Sequence, residues 1–239
     1  MEKLTTPPFA PKVIELLAQC QILTRQDVQQ QSPCVAFLLL KESGLSVTKS
    51  VFWQLVAFSL GKTVNTLSDD ERVFWANELT KTPPGARFPD EKSMQSFMRE
   101  ALIQATLAAE QNEVPVGAVV VHQNQIIARG LNTCVRDCDV SYHAEIQALR
   151  QAGQVLGNYR LQNCDVYVSL EPCAMCASAL MQARVRRVIF AAREPKTGAA
   201  GSVINLFAQK TLNHHTAILG GVLADEAQTL LQNFFRQQR

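Results

Sequence analysis

The sequence His-Ala-Glu at positions 143–145 and the sequence Pro-Cys-Ala-Met-Cys at positions 172–176 decide the fold and the chemistry of this chain. A catalytic zinc ion takes three protein ligands and keeps a fourth position for water. His143, Cys173 and Cys176 supply three such ligands, and Glu145 is left over as a proton carrier beside the metal. The pattern therefore predicts one zinc ion per chain and a hydrolytic reaction.

The spacing of these residues places them at the starts of two helices. Cys173 and Cys176 are three positions apart, so at a helix start both sulfurs face one side. Pro172 favours a helix that begins there, and the free amides of a first turn lower thiol pKa values. His143 opens the other helix. Zinc lowers the pKa of bound water toward neutrality, and Glu145 can then carry the proton to a substrate nitrogen.

Other interpretations of the cysteines remain open at this point. A Cys-x-x-Cys pair also occurs in redox sites and as half of a structural zinc site. A structural site here would use Cys134 and Cys138 beside His143, and it would leave Glu145 without a role. The remaining cysteines are interpreted as small apolar core residues; they are Cys20, Cys34 and Cys164. The other histidines, at 122, 214 and 215, belong to no motif.

Composition excludes several classes of protein. The chain has 239 residues, 47% of them hydrophobic, and a mean hydropathy of −0.02. It lacks the run of roughly 18 apolar residues that a membrane span needs, and its first nine residues show no secretory signal. Seven cysteines without such a signal indicate a reducing compartment. We therefore expect a cytoplasmic protein with no membrane association.

Charge alone does not identify a partner, because the formal net charge is only +2. Five basic residues nevertheless fall within thirteen positions; they are Arg184, Arg186, Arg187, Arg193 and Lys196. This run is typical of a solvated basic face or of a surface that contacts phosphates.

Residues 83–90 are interpreted as a linker, because Pro83, Pro84, Gly85 and Pro89 break regular structure. Residues 1–82 are predicted to be all-helical, with helix starts at Ser32-Pro33 and at the capping box Ser68–Glu71.

Residues 91–239 alternate between strands and helices, which indicates a sheet covered on both faces. The predicted strands are 116–121, 125–128, 165–170, 187–191 and 216–219, and the helices are 93–110, 143–152, 173–183 and 224–236.

Residues 91–239 resemble the bacterial tRNA-specific adenosine deaminases, within the zinc cytidine/deoxycytidylate deaminase superfamily, over roughly 140 residues. His-x-Glu followed by Pro-Cys-x-x-Cys is the signature of zinc nucleobase deaminases. The similar segments also include residues 113–118, Asn132, 158–161, 167–168, 170–171, 196–202, 223–226 and 234–236. One departure lies in the loop where Glu194 replaces the usual aspartate, and another is Tyr142 before the histidine.

The resemblance implies a cytidine-deaminase-like fold: a three-layer α/β/α sandwich with a five-stranded mixed sheet, preceded here by a small all-helical domain. It implies a homodimer that binds tRNA and converts the wobble adenosine of an arginine tRNA to inosine. It further implies that Asn132 hydrogen-bonds the flipped base and that Val114 lines its pocket. The anticodon loop would be contacted from the segment that holds Glu194 and Lys196, and from Phe234, Phe235 and Arg236.

The first segment contains Pro11-Lys12 at a helix start, Ile22 and Thr24 with Asp27-Val28, Leu39-Leu40-Lys41, Gly44, and the run from Leu67 to Arg72. Through these residues it resembles the C-terminal domain of the TfoX/Sxy competence regulators, from Lys12 to Leu79. The opening is similar to a helix-hairpin-helix, but its turn, residues 19–22, contains no glycine and so argues against phosphate binding there.

Two alternative functions of the chain remain. The chain could deaminate a free base or nucleotide on the same fold, or it could act mainly as a nucleic-acid-binding or regulatory protein through residues 1–82.

Overall fold

The computed structural model describes residues 2–43, 45–82, 88–209 and 211–237. The chain divides into two compact units, residues 1–87 and 88–239. Gly44, predicted to end a helix, and residues 83–87 of the predicted linker lie outside the described residues. Phe88 packs against the core of the second unit, and the Asp90 side chain accepts a hydrogen bond from the Ser93 amide (2.9 Å) at the start of a helix.

Among its described residues, the regular elements of the first unit are all helices, apart from an isolated β-bridge between Lys3 and Thr24. Ser32 and Ser68 begin two of its helices as predicted: the Ser32 hydroxyl accepts from the Cys34 amide (3.3 Å), and Ser68 forms the expected capping box with Glu71. The interior is apolar and includes Phe9, Leu17 and Phe52. The helices are α1 (Pro11–Ala18), α2 (Arg25–Gln31), α3 (Pro33–Glu42), α4 (Lys49–Leu60) and α5 (Asp69–Lys81), with a 3₁₀ turn at Val64–Thr66.

The second unit contains the predicted mixed sheet of five strands, in the order β2-β1-β3-β4-β5. β1 pairs antiparallel with β2 and β3, whereas β3, β4 and β5 are parallel. The strands are β1 (Gly117–His122), β2 (Gln125–Leu131), β3 (Cys164–Leu170), β4 (Arg187–Ala192) and β5 (Ala217–Gly220). The helices are α6 (Glu91–Glu110), α7 (Ala144–Leu156), α8 (Ala174–Gln182) and α9 (Ala224–Gln237).

Alternating side chains of the central strands divide the core into two layers, because successive strand residues point to opposite faces. Val120 and Val166 pack with residues of α7 and α8, including Ala148 and Leu180. On the other face, Val119, Tyr167 and Ile189 pack with residues of α6 and α9. The sheet is therefore covered on both faces, as the alternation of strands and helices predicts. Over the described residues, no helix combines the length and apolar character that a membrane crossing requires.

The basic run between positions 184 and 196 does not form one surface. The side chains of Arg186 and Arg187 pair with the buried Asp165 carboxylate at the start of β3 and β4. Arg193 and Lys196 follow the other end of β4. Six residues of strand at about 3.3 Å each separate Arg187 from Arg193 by about 20 Å. Within the run, only Arg193 and Lys196 lie at the edge of the sheet where β3 and β4 end.

Candidate active site

The sheet topology brings four loops to one edge. β1 begins where β3 ends, because the two strands are antiparallel and Ala118 pairs with Val168. β4 runs parallel to β3, so its last residues lie beside the end of β3. Val114 before β1, Asn132 after β2, Cys173 after β3 and Glu194 after β4 therefore meet at this edge.

His143, Cys173 and Cys176 form a three-ligand group at that edge. His143 immediately precedes α7, Cys173 immediately precedes α8, and Cys176 lies in the first turn of α8. The Nδ1 atom of His143 is 3.7 Å from Cys173 Sγ and 3.4 Å from Cys176 Sγ. All three ligand atoms lie within 4.8 Å of one another. A tetrahedral zinc ion with ordinary bond lengths would place its nitrogen and sulfur ligands about 3.6 Å apart, so the group fits zinc.

The protonation of the two thiols also fits a metal site. Hydrogen bonding from the Cys176 thiol, helped by His143, lowers the pKa of Cys173 to about 4 despite the opposing effect of burial. The hydrogen bond to Cys173 and burial raise the pKa of Cys176. The hydrogen bond with Cys173 raises the pKa of His143. The group thus holds one thiolate and protons that a cation would displace on binding, as thiolate and neutral-imidazole ligands require.

Glu145 lies two residues beyond His143 and is only 3% exposed. Burial raises the pKa of its carboxyl. Its Oε2 atom is buried and has no hydrogen-bond partner among the described residues. Buried acceptors are normally satisfied by a donor, and a water held beside the three ligands would satisfy this one. A glutamate with a raised pKa beside a water is suited to proton transfer near neutral pH.

The structure does not bring the remaining loop cysteines into this group. The Cys134 thiol approaches Asn132 Oδ1 (3.4 Å), and the exposed Cys138 thiol approaches the Val135 carbonyl (3.6 Å). Among the described residues, His143, Cys173 and Cys176 are the one group of three or more metal-binding side chains close enough to share an ion. The structural-site interpretation with Cys134 and Cys138 is therefore not supported.

Asn132 is held by a buried glutamate that the sequence analysis did not single out for a role. Asn132 Nδ2 donates to Glu113 Oε2 (3.2 Å), and the backbone amide of Arg136 donates to Glu113 Oε1 (2.7 Å). Asn132 Nδ2 is the donor and Glu113 Oε2 the acceptor in this contact, so it fixes which side of the amide faces Glu113. The signal in the sequence is an acidic residue, Glu113, four positions before the apolar strand β1.

The residues predicted to contact RNA lie around a cavity of about 570 Å³ between the loop after β4 and the end of α9. Glu194, Lys196, Phe235 and Arg236 line it, together with Arg193. Phe235 is 51% exposed, whereas Phe234 is 9% exposed and stacks edge-on against it at 5.4 Å. Phe234 is placed to support Phe235 from within the core. Val114 is half-buried beside Glu113 and does not line this cavity.

Comparison with known proteins assigns the second unit to an enzyme family. A model of the MafB19-like deaminases matches residues 92–239. The chain is similar to the tRNA-specific adenosine deaminase of Agrobacterium fabrum, at 43% identity over 143 residues that span 60% of this chain and 94% of that protein. The corresponding enzyme of Bacillus subtilis is 41% identical over 143 residues, 60% of this chain and 89% of that protein.

Two solved structures share the fold. One, from a study of A-to-I editing by tRNA:A34 deaminases at the wobble position, is 42% identical with a TM-score of 0.54, and the match covers 57% of this chain and 99% of that chain. The other, NE0047 in complex with 2,6-diaminopurine, is 27% identical with a TM-score of 0.53 over 59% of this chain and 80% of that chain. These matches confirm the predicted cytidine-deaminase-like fold.

Proposed function

Because this chain belongs to the MafB19-like deaminase family through residues 92–239, we propose that it hydrolyses the wobble adenosine of an arginine tRNA to inosine, with release of ammonia. The observation that carries the proposal is the buried Glu145 carboxylate beside an intact His143, Cys173 and Cys176 group. Identities of 41–43% to tRNA-specific adenosine deaminases support the choice of substrate.

The residues of the site divide the reaction between them. A zinc ion bound by the three ligands would make a water acidic enough to attack at neutral pH. Glu145 Oε2 would accept one proton from the attacking water and deliver it to N1 of the adenine ring as the C–O bond forms at C6. Glu145 would then move the remaining proton of the added hydroxyl to the amino nitrogen, so that the C6–N bond breaks, ammonia leaves and the C6 carbonyl of inosine remains. The free amide hydrogen of Asn132 is available to the flipped base, whose pocket Val114 lines.

We propose that the cavity between Glu194 and Arg236 receives nucleotides of the anticodon loop. It combines the cations of Arg193, Lys196 and Arg236 with the exposed ring of Phe235. Single-stranded RNA is recognised by this combination, because cations contact the backbone and splayed bases stack on aromatic rings. The Glu194 carboxylate also accepts from the Lys196 amide (2.8 Å), which shapes the loop.

Lys196→Ala is expected to raise KM for an anticodon stem-loop and to weaken its salt dependence. One lost phosphate contact should reduce the slope of log KM against log salt by about 0.7–0.9. Lys92→Ala is the matched control, because Lys92 is also exposed but lies at the start of the 20-residue α6, which ends near the site. Equal slopes for wild type and Lys196→Ala would count against a phosphate contact at Lys196.

We propose further that the deaminase acts as a homodimer in the cytoplasm. An apolar groove of about 620 Å³ lies between α7 and α8, with Ile146, Leu149 and Ala179 in its wall. Val155 and Tyr159 beside it are exposed. Such a contiguous apolar face supports an interface, and a monomeric mass in sedimentation velocity would contradict it. None of the seven cysteines, all of which lie in the part of the chain that the structure describes, forms a disulfide, which is consistent with a reducing compartment.

Residues 1–82 enter the proposal as a TfoX-like accessory region with no part in the chemistry. They form their own apolar core within the first unit, and the family match begins only at residue 92. Their charge is balanced, with eight basic and eight acidic residues. A fragment of residues 90–239 should therefore deaminate a stem-loop within about tenfold of the full chain, about 1.4 kcal/mol in activation free energy. A folded but inactive fragment would reject this division.

A second candidate function, deamination of a free base, is favoured by the 27% identity to NE0047, whose structure holds 2,6-diaminopurine. The two functions are separated by comparing the rate on an arginine anticodon stem-loop with the rates on free adenine, guanine and cytosine. The tRNA proposal expects activity on the stem-loop and rates near background on the bases. The reverse order would establish the free-base function instead.

A further inference from the structure

Glu171 is a buried carboxylate to which the proposed mechanism gives no task. It follows the last residue of β3 and stands two positions before the ligand Cys173. Its residue exposure is only 2%. An acidic side chain at such a depth is rare unless it is paired or fully hydrogen-bonded. Its partners therefore indicate what it is for.

All four side-chain hydrogen bonds that the structure gives Glu171 come from the loop after β4. The amide of Glu194 donates to Oε2 (3.1 Å), and the amides of Ala200 and Ser202 donate to Oε1 (both 3.0 Å). The Ser202 hydroxyl donates to Oε2. One carboxylate thus fastens both ends of the segment 194–202, which carries Glu194 and Lys196.

The backbone of the same segment lies directly against the turn formed by Pro172 and the ligand Cys173. Cys173 and Gly198 form an isolated β-bridge, and the Ala199 amide donates to the Pro172 carbonyl (2.8 Å). A Cβ at Gly198 would lie 2.6 Å from Glu171 Cδ and 2.5 Å from the Glu194 carbonyl oxygen. Only glycine allows this approach, so the two segments are joined without intervening side chains.

We propose that Glu171 is a positioning residue for the RNA. Its carboxyl group fixes the 194–202 loop against the turn that carries Cys173. A nucleotide bound by the loop then places the neighbouring adenosine beside Glu145 and the three metal ligands. This proposal rests on the proposed function, because it assumes that the loop binds the substrate strand. In this proposal Glu171 contacts neither the substrate nor the metal. It acts through the loop.

The test is Glu171→Gln, whose amide group replaces one accepting oxygen with a donor that faces the loop amides. We expect KM for the stem-loop to rise at least about tenfold, since the side chain loses one of the two oxygens that accept hydrogen bonds from the loop. Zinc content should stay near that of wild type, and kcat should change by less than KM. Hydrogen exchange at the amides of Ala200 and Ser202 should become faster. Ser202→Ala, which removes one donor, should give a smaller change in the same direction.

Asp165→Asn is the matched control. Asp165 lies at the other end of the same strand, is also buried, and is bound by Arg186 and Arg187 rather than by the loop. This variant should lower Tm without changing KM. If the role of Glu171 were merely structural, Glu171→Gln would also lower Tm without changing KM. A folded Glu171→Gln protein with unchanged KM and unchanged exchange in the loop would overturn the proposal. If Glu171→Gln does not fold, an unchanged KM in Ser202→Ala overturns it.

The exchange measurement also separates this proposal from the proposed function. Absence of deamination by the wild-type protein on any stem-loop would reject the tRNA function, whatever Glu171 does. Faster exchange at Ala200 and Ser202 in Glu171→Gln, but not in Asp165→Asn, would still support the role of Glu171 in holding the loop.

Discussion

Glu145→Ala is expected to abolish turnover while the protein stays folded and keeps its metal. The ligands His143, Cys173 and Cys176 are untouched by this change, so about one zinc ion per chain should remain. Loss of a general acid–base group costs about 10²–10⁴-fold in rate, and Glu145 should reach or exceed the upper end because it serves more than one proton transfer. Single-turnover rates on the stem-loop and metal analysis of the same sample measure both quantities.

Thermal melting supplies the control for Glu145→Ala. The side chain is buried, and within the part of the chain that the structure describes its Oε2 has no hydrogen-bond partner. Its removal should therefore not lower Tm by the several degrees that loss of a well-bonded core residue causes. A variant that is folded, zinc-loaded and as fast as wild type would reject Glu145 as the proton carrier.

Cys173→Ser is expected to lose both zinc and activity. The serine hydroxyl stays protonated at neutral pH, whereas hydrogen bonds already hold the pKa of Cys173 near 4. The variant would keep only two effective ligands, so zinc content should fall to a small fraction of one ion per chain and deamination should fall to background. Zinc analysis after gel filtration in metal-free buffer measures the first effect.

Cys138→Ser is the matched control, since Cys138 is exposed and lies outside the three-ligand group. It should retain full zinc and activity. Undiminished zinc in Cys173→Ser, or zinc loss in Cys138→Ser, would contradict the ligand assignment and revive a site built from the loop cysteines.

Local patterns predicted the parts of this molecule that local physics controls. The five predicted strands of the second unit match β1 to β5 within three residues at each end, and the capping box from Ser68 to Glu71 begins α5 as expected. The convergence of His143 with Cys173 and Cys176 followed from a recognised motif. Sequence alone could not have supplied the 3.4–3.7 Å distances between residues thirty or more positions apart.

The buried carboxylates show why other parts could not be predicted. Glu171 and Ser202 are 31 positions apart, and Glu113 and Asn132 are 19 apart, so both contacts depend on the assembled sheet. Two other observations, the different exposure of Phe234 and Phe235 and the separation of Arg187 from Arg193, could have been predicted from helix and strand geometry. Neighbouring residues on a helix point about 100° apart, which explains why Phe234 is buried while Phe235 is exposed. Strand length explains why Arg187 and Arg193 do not share a surface.

The most direct test of the central claim is the position of inosine in arginine tRNA after incubation with this protein. Inosine is read as guanosine by reverse transcription, so sequencing locates each converted adenosine. We expect conversion at the wobble position alone, dependent on zinc and absent with Glu145→Ala. An unchanged wobble adenosine, in the presence of zinc-loaded wild-type protein, would contradict the account.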